Sequence, residues 1–190
     1  MLRPEKNLQL LMRAFSTLQP LNKKLKLVVV GGGPELPELL KLRAELRLDE
    51  SQCLFEAATK NVPYWLNAID IFVLPSRYED SANSLIEAMA CGCCVVGSAT
   101  GGNIDLIEHL RTGLLFQTDN LSSLMQQLQT AIRDEGLRKD LGDNAARFVR
   151  ARFSWENSAR TMEDIYARLL ESSRPAMSTA PDKTGLTYVQ

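Results

Sequence analysis

The sequence predicts an α/β fold, a parallel sheet with helices packed on both faces. Short apolar runs of strand length alternate with longer stretches of helical periodicity, the order that builds strand–helix–strand units. Those runs are rich in Val, Ile and Leu and lack apolar/polar alternation, as suits strands covered on both faces. The chain has 190 residues, 45% hydrophobic and 24% charged, which is enough to bury a core of its own.

Element by element, Asn7 stands as an N-cap before a helix whose apolar stripe is Leu8, Leu11, Phe15 and Leu18. A strand is expected over Leu25–Val30, followed by the turn Gly31-Gly32-Gly33-Pro34. Pro34 opens a helix striped by Leu36, Leu39, Leu40 and Leu46. Further strands are expected at Cys53–Glu56, Ile71–Leu74, Cys94–Gly97 and Gly113–Phe116. Between and after them the spacing predicts helices at Ser84–Ala90, Ile104–Leu110, Leu121–Ile132, Gly136–Ala151 and Trp155–Leu170, the last capped by Ser154. From Ser172 the text turns to Ser, Thr and Pro without an apolar face, so 1–171 reads as the folded domain and 172–190 as a disordered tail.

Composition excludes several classes. With 22 Lys+Arg against 23 Asp+Glu there is no basic surplus to neutralise nucleic-acid phosphates, so no nucleic-acid partner is expected. The longest apolar runs fall far short of the roughly 20 residues a bilayer span requires. A cytoplasmic protein is expected, with a peripheral contact at the inner face of a membrane left open. Cys91, Cys93 and Cys94 crowd one segment and His109 is the single histidine, which suits buried free thiols better than a zinc site; no metal is expected.

Two segments carry chemistry. The glycines at 31–33 let the backbone turn sharply and approach a ligand, but Leu36 replaces the third glycine of a dinucleotide fingerprint. The second segment, Pro75 to Gly92, begins where a strand ends, at the sheet edge where open α/β folds bind ligands. Its small polar residues lead into a helix whose N-terminal amides suit a phosphate. Glu79 and Glu87 flank that turn with seven residues between them. Acids on both sides of an anion site suit a ligand with hydroxyls on either side of a diphosphate, since a carboxylate accepts two bonds from a diol.

The run Glu79 to Glu87 followed by Ala88-Met89-Ala90-Cys91-Gly92 resembles the E-x7-E signature of retaining GT-B glycosyltransferases of family 4. Asp70–Ser76 resembles the strand before that motif, and Thr100-Gly101-Gly102-Asn103 and Thr112–Phe116 its later landmarks. Pro4-Glu5-Lys6-Asn7, Gly31–Pro34 and Phe153-Ser154-Trp155 resemble further elements, all in the family's order over most of residues 3–170.

The resemblance implies the C-terminal, Rossmann-like, donor-binding half of such an enzyme, transferring a hexose-type sugar from a nucleoside-diphosphate sugar with retention. No metal or other cofactor is required beyond that co-substrate. It implies that Glu87 binds the donor ribose and Glu79 the transferred sugar, and that Lys6 neutralises the diphosphate. The amides of Asp80, Ser81, Ala82, Asn83, Ser84 and Leu85, with Gly33, would meet the diphosphate and sugar. The family's arginine falls at Met1, leaving the offset Arg3 as its candidate; Asp80 replaces a usual glycine, Cys94 a proline and Asp105 a glutamate. Against the family's pattern, an N-terminal acceptor domain and an opening strand before Lys6 are expected to be absent from these residues, so donor binding by this domain alone is expected to be weak and transfer weak or absent. The alternative expectation is a non-catalytic or truncated sugar-nucleotide-binding module.

Overall fold

A computed structural model of the chain describes residues 1–80 and 82–172. They fall into two compact units, Met1–Arg152 and a second that starts at Phe153. The first holds five strands, β1 (Leu27–Val30), β2 (Cys53–Glu56), β3 (Ile71–Leu74), β4 (Cys94–Ser98) and β5 (Leu114–Phe116). Its helices are α1 (Leu8–Leu18), α2 (Leu36–Glu45), α3 (Val62–Ala68), α4 (Asn83–Ala90), α5 (Gly102–Leu106), α6 (Leu121–Arg133) and α7 (Glu135–Arg152).

All pairings between the strands are parallel, in the orders β1-β2 and β3-β4-β5. β4, paired on both edges, is buried at every residue, whereas β1 and β3 are only half-buried over most of their length. Successive residues of the three-stranded sheet face opposite cores, as the two-residue period of a strand demands. Leu74 and Val95 join Leu85, Ala88 and Met89 of α4 and Ala145 and Val149 of α7 on one face. Cys94, Val96, Leu114 and Phe116 meet Leu11 of α1 and Leu124 and Leu128 of α6 on the other. A third cluster closes β1 and β2 against α1 and α2 through Met12, Phe15, Val29, Leu39, Leu42 and Cys53. Each such large apolar side chain contributes about 1.5–3 kcal/mol on burial, so the first unit is an α/β/α stack held by its covered strands.

Several local expectations shift. The α2 stripe runs through Leu39 and Leu42, and Leu40 is exposed. α5 stops at Leu106, because the Thr112 hydroxyl ties the Leu106 carbonyl and the Glu108 N–H into a turn that leads to a left-handed Leu110. α3 was not expected: it buries only Leu66, too little to leave a periodic stripe in the sequence.

The second unit contains α8 (Trp155–Ser172). Ser154 caps it as expected, its Oγ accepting the Asn157 N–H at 3.1 Å. Met162, Ile165, Tyr166 and Leu169 follow one helical stripe and are exposed. Ser172, expected to begin the tail, closes this helix, and 173–190 lie outside the described residues.

Candidate functional site

The first residues of the chain lie along the carboxyl edge of the sheet. The Leu2 N–H donates to the Gly32 carbonyl just past β1, and the Arg77 N–H donates to the Glu5 carbonyl just past β3. Leu2 is buried, so the segment is anchored by packing as well as by hydrogen bonds. Gly33 belongs to this anchor: a Cβ there would run into the Leu2 main chain, so glycine allows the crossing. Pro4–Lys6 then forms a 3-10 turn that ends at Asn7, a non-glycine residue in the left-handed region with φ 52. Asn7 occupies the N-cap position of α1 as expected, but its side chain makes no capping bond. Its amide instead reaches across to Asp119, donating to Oδ1 at 3.0 Å.

That turn brings Lys6 to Glu79. The Lys6 ammonium lies 2.6 Å from Glu79 Oε2, with side chains 30% and 7% exposed. The same carboxylate oxygen accepts the Ser76 hydroxyl at 3.0 Å, and the Glu79 carbonyl accepts the Gly102 N–H at 2.9 Å. Ser76 is itself held, because the Ser98 hydroxyl donates to its carbonyl and the Asn103 amide donates to Ser98. Glu79 is therefore a nearly buried carboxylate with one oxygen, Oε2, paired with a cation and a hydroxyl, which offsets the cost of burying its charge. Asn103 Oδ1 is buried without a hydrogen-bond partner among the described residues.

The rest of the predicted set lies around α4. Ala82 is buried at its N-cap, and Asn83, Ser84 and Leu85 form its first turn, Leu85 with its side chain in the core. The Leu85 and Ile86 N–H groups close onto the Ala82 carbonyl, and the helix dipole still directs its positive end at this turn. Asp80 is exposed, and the Tyr78 hydroxyl donates to it, which pushes the phenol above its ordinary range. Glu87 sits on the exposed side of α4, and its carboxylate makes no hydrogen bond or ion pair among the described residues. Ser81 lies outside those residues. Arg3 turns toward its own neighbours, with Nε on Met1 Sδ at 3.2 Å and a guanidinium nitrogen 3.7 Å from Glu5.

The sequence marks Lys6 and Glu79 as candidates, and the structure brings them together, but the sequence did not mark the residues that hold them. Ser76 lies in the loop after β3, Ser98 ends β4 and Asn103 is in the first turn of α5, and each is a residue type common at many surfaces. Arg77 and Asp119 were missed as well, although they share a hydrogen bond of 2.8 Å. Among the described residues no three His, Cys, Asp or Glu stand together so as to hold a metal ion. Burial pushes the thiols of Cys53, Cys93 and Cys94 up to about 11, which keeps them protonated and unreactive at neutral pH. No helix among the described residues is long and apolar enough to cross a membrane.

The chain is similar to known proteins over most of its length. The chain is 32% identical over 149 residues to an N-acetyl-alpha-D-glucosaminyl L-malate synthase of Bacillus anthracis, covering 78% of this chain and 39% of that one. Among solved structures it superposes on sucrose-phosphate synthase of Thermosynechococcus elongatus with a TM-score of 0.80 at 28% identity, covering 90% of this chain and 44% of that one. Anabaena HepE, solved with UDP-glucose, gives 0.77 at 26% identity, covering 90% and 46%. The chain thus spans less than half the length of these relatives, and its α/β unit is Rossmann-like, of the GT-B kind. The family model for glycosyl transferases group 1 matches residues 1–148, and the chain belongs to that family.

Proposed function

We propose that this chain is the donor-binding half of a retaining, family 4 glycosyltransferase that passes a hexose-type sugar from a nucleoside diphosphate to an acceptor. The observation that carries the reading is the Lys6–Glu79 contact of 2.6 Å at the carboxyl edge of the sheet, beside the N-terminus of α4. A cation there meets the charge that develops on a departing diphosphate, and the helix N-terminus adds oriented amides to the same task. In this reading Lys6 stabilises the leaving group, and Glu79, fixed by Ser76 and Gly102, accepts bonds from the sugar hydroxyls. Glu87, free of protein partners among the described residues, takes the ribose. Arg77, held beside the Lys6 turn by Asp119 and the Pro4 carbonyl, adds a second positive charge to the region, and Arg3 is the other candidate, paired with Glu5. The acceptor would be bound by an N-terminal Rossmann-like domain in the whole enzyme, which would work in the cytoplasm without a metal.

The test is calorimetric titration of the chain with UDP, GDP, ADP and their hexose conjugates. Binding of one nucleotide, weakened in Glu87→Ala, is the expected result. A well-folded chain that binds none of them overturns the reading. Binding by an enzyme that also has the acceptor domain, with no transfer to any acceptor tried, would leave a sugar-nucleotide-binding module instead.

A further inference from the structure

The Lys6 turn is held by a polar network that the donor site itself does not explain. Asp119, in the loop between β5 and α6, uses one oxygen for two donors: Asn7 Nδ2 at 3.0 Å and Arg77 Nε at 2.8 Å. Arg77 then grips the same turn, its side chain donating to the Pro4 carbonyl at 3.3 Å and its main-chain N–H to the Glu5 carbonyl at 2.8 Å. Three bonds thus converge on residues 4–7, on either side of Lys6, and the Arg77–Asp119 bond ties their donors and acceptor together.

Magnitudes argue that this network is not there for stability. Asp119 and Arg77 are both about half exposed, and an exposed ion pair contributes roughly 0.2–1 kcal/mol. Asp119 and Asn7 are both left-handed, with φ 59 and φ 52. Holding two non-glycine residues in that region costs about 1 kcal/mol or more each. The gain and the strain are therefore of similar size. What remains is geometry: Asn7 is 3% exposed and directly follows Lys6, so fixing its side chain fixes the turn from which the ammonium reaches Glu79.

We propose that Asp119 is a positioning residue that, through Asn7 and Arg77, sets Lys6 against Glu79 and the donor diphosphate. The proposal deepens the donor-site reading and rests on it for the ligand, but not for the Lys6–Glu79 contact.

Asp119→Gly is the informative variant, because φ 59 suits glycine, so the carboxylate is removed while the backbone is relieved. Asp119→Asn is its conservative partner, keeping an acceptor oxygen for Asn7 while losing the charge that pairs with Arg77. Acetylation of the Lys6 amine by an N-hydroxysuccinimide ester, followed by peptide mass spectrometry, reads the contact without any nucleotide. The expected result is several-fold faster acetylation of Lys6 in Asp119→Gly, a near-normal rate in Asp119→Asn, and an unchanged melting temperature. UDP binding should weaken about tenfold in Asp119→Gly, equivalent to roughly 1.4 kcal/mol, while uridine binding stays as it was. Lys6→Ala should then weaken UDP binding less in the Asp119→Gly background than alone, as expected for coupled groups. Equal acetylation rates in all three proteins overturn the proposal. If acetylation changes as expected and no form binds UDP, GDP or ADP, the donor reading fails and the positioning role stands. Equal losses for UDP and uridine would show a general loosening of the site and overturn the positioning role.

Discussion

The loop that carries Glu79 and the helix face that carries Glu87 are neighbours in sequence and opposites in environment. Glu79 is 7% exposed and bonded to Lys6 and Ser76 through its carboxylate and to Gly102 through its carbonyl. Glu87 is exposed, and its carboxylate has no protein partner among the described residues. A side chain held by several groups from separate loops is preorganised, so a ligand does not have to order it. A free side chain must be ordered by the ligand, losing roughly 0.5–1.5 kcal/mol of rotamer freedom on binding. The difference separates two kinds of site residue: one whose removal disturbs fold and binding together, and one whose removal disturbs binding alone.

The sharpest way to break the held side is Gly101→Ala. Gly101 has φ 44, and a Cβ there would overlap the Glu79 carbonyl oxygen. Strain at such a position costs about 1–3 kcal/mol, to which displacement of the Glu79 loop adds. A fall in melting temperature of about 5–10 °C is expected by calorimetry, together with weaker nucleotide binding. A stable Gly101→Ala protein that binds as before would mean that the loop is not fixed from this side.

A smaller effect is expected from Glu79→Ala, which leaves Ser76 without its acceptor and Lys6 without its counter-charge. Lys6 is partly exposed and regains water, so a stability loss of about 1–2 kcal/mol is expected rather than the larger cost of a fully buried pair. In urea titrations of Glu79→Ala, Lys6→Ala and the double variant, the losses should be clearly non-additive. Strict additivity would mean that the 2.6 Å contact contributes nothing in solution. For UDP binding, Lys6→Ala should also flatten the dependence of affinity on salt, since it removes a charge that is partly screened at physiological ionic strength.

How far the sequence revealed this arrangement depends on the range of the interactions involved. The strands were legible because Leu27–Val30, Ile71–Leu74 and Cys94–Ser98 are apolar runs of a length and composition that few other structures use. Lys6, Glu79 and Glu87 were legible because a family pattern marks them. α3 was not, since a seven-residue helix with one buried side chain leaves no period to detect. Nor was the end of α5, which a single hydroxyl, that of Thr112, decides. Asn7 could be placed at the start of a helix, but its side chain bonds to Asp119, 112 positions away, and no local rule anticipates that partner. The Ser76–Ser98–Asn103 relay is hidden for the same reason. Its members belong to the loop after β3, the end of β4 and the start of α5, and meet only when β3 and β4 pair in register.

The smallest effect on the fold, and the one that tests the comparison most directly, is that of Glu87→Ala. Its carboxylate supports no neighbour among the described residues, and alanine is the better helix former, so stability should change by no more than about 0.5 kcal/mol. A hydrogen bond from a hydroxyl to a carboxylate contributes roughly 1.5–3 kcal/mol, so losing it should weaken nucleotide binding about ten- to a hundredfold. The same titration with a 2′,3′-dideoxynucleoside diphosphate separates the ribose contact from any other role. If Glu87 meets the ribose, the wild-type protein should bind the dideoxy compound about as weakly as Glu87→Ala binds the ordinary one, and the substitution should cost nothing further. An equal additional loss with the dideoxy compound would place the Glu87 contact elsewhere on the nucleotide. A large loss of melting temperature would instead make Glu87 a residue held by the fold, like Glu79, and the distinction between the two acids would disappear.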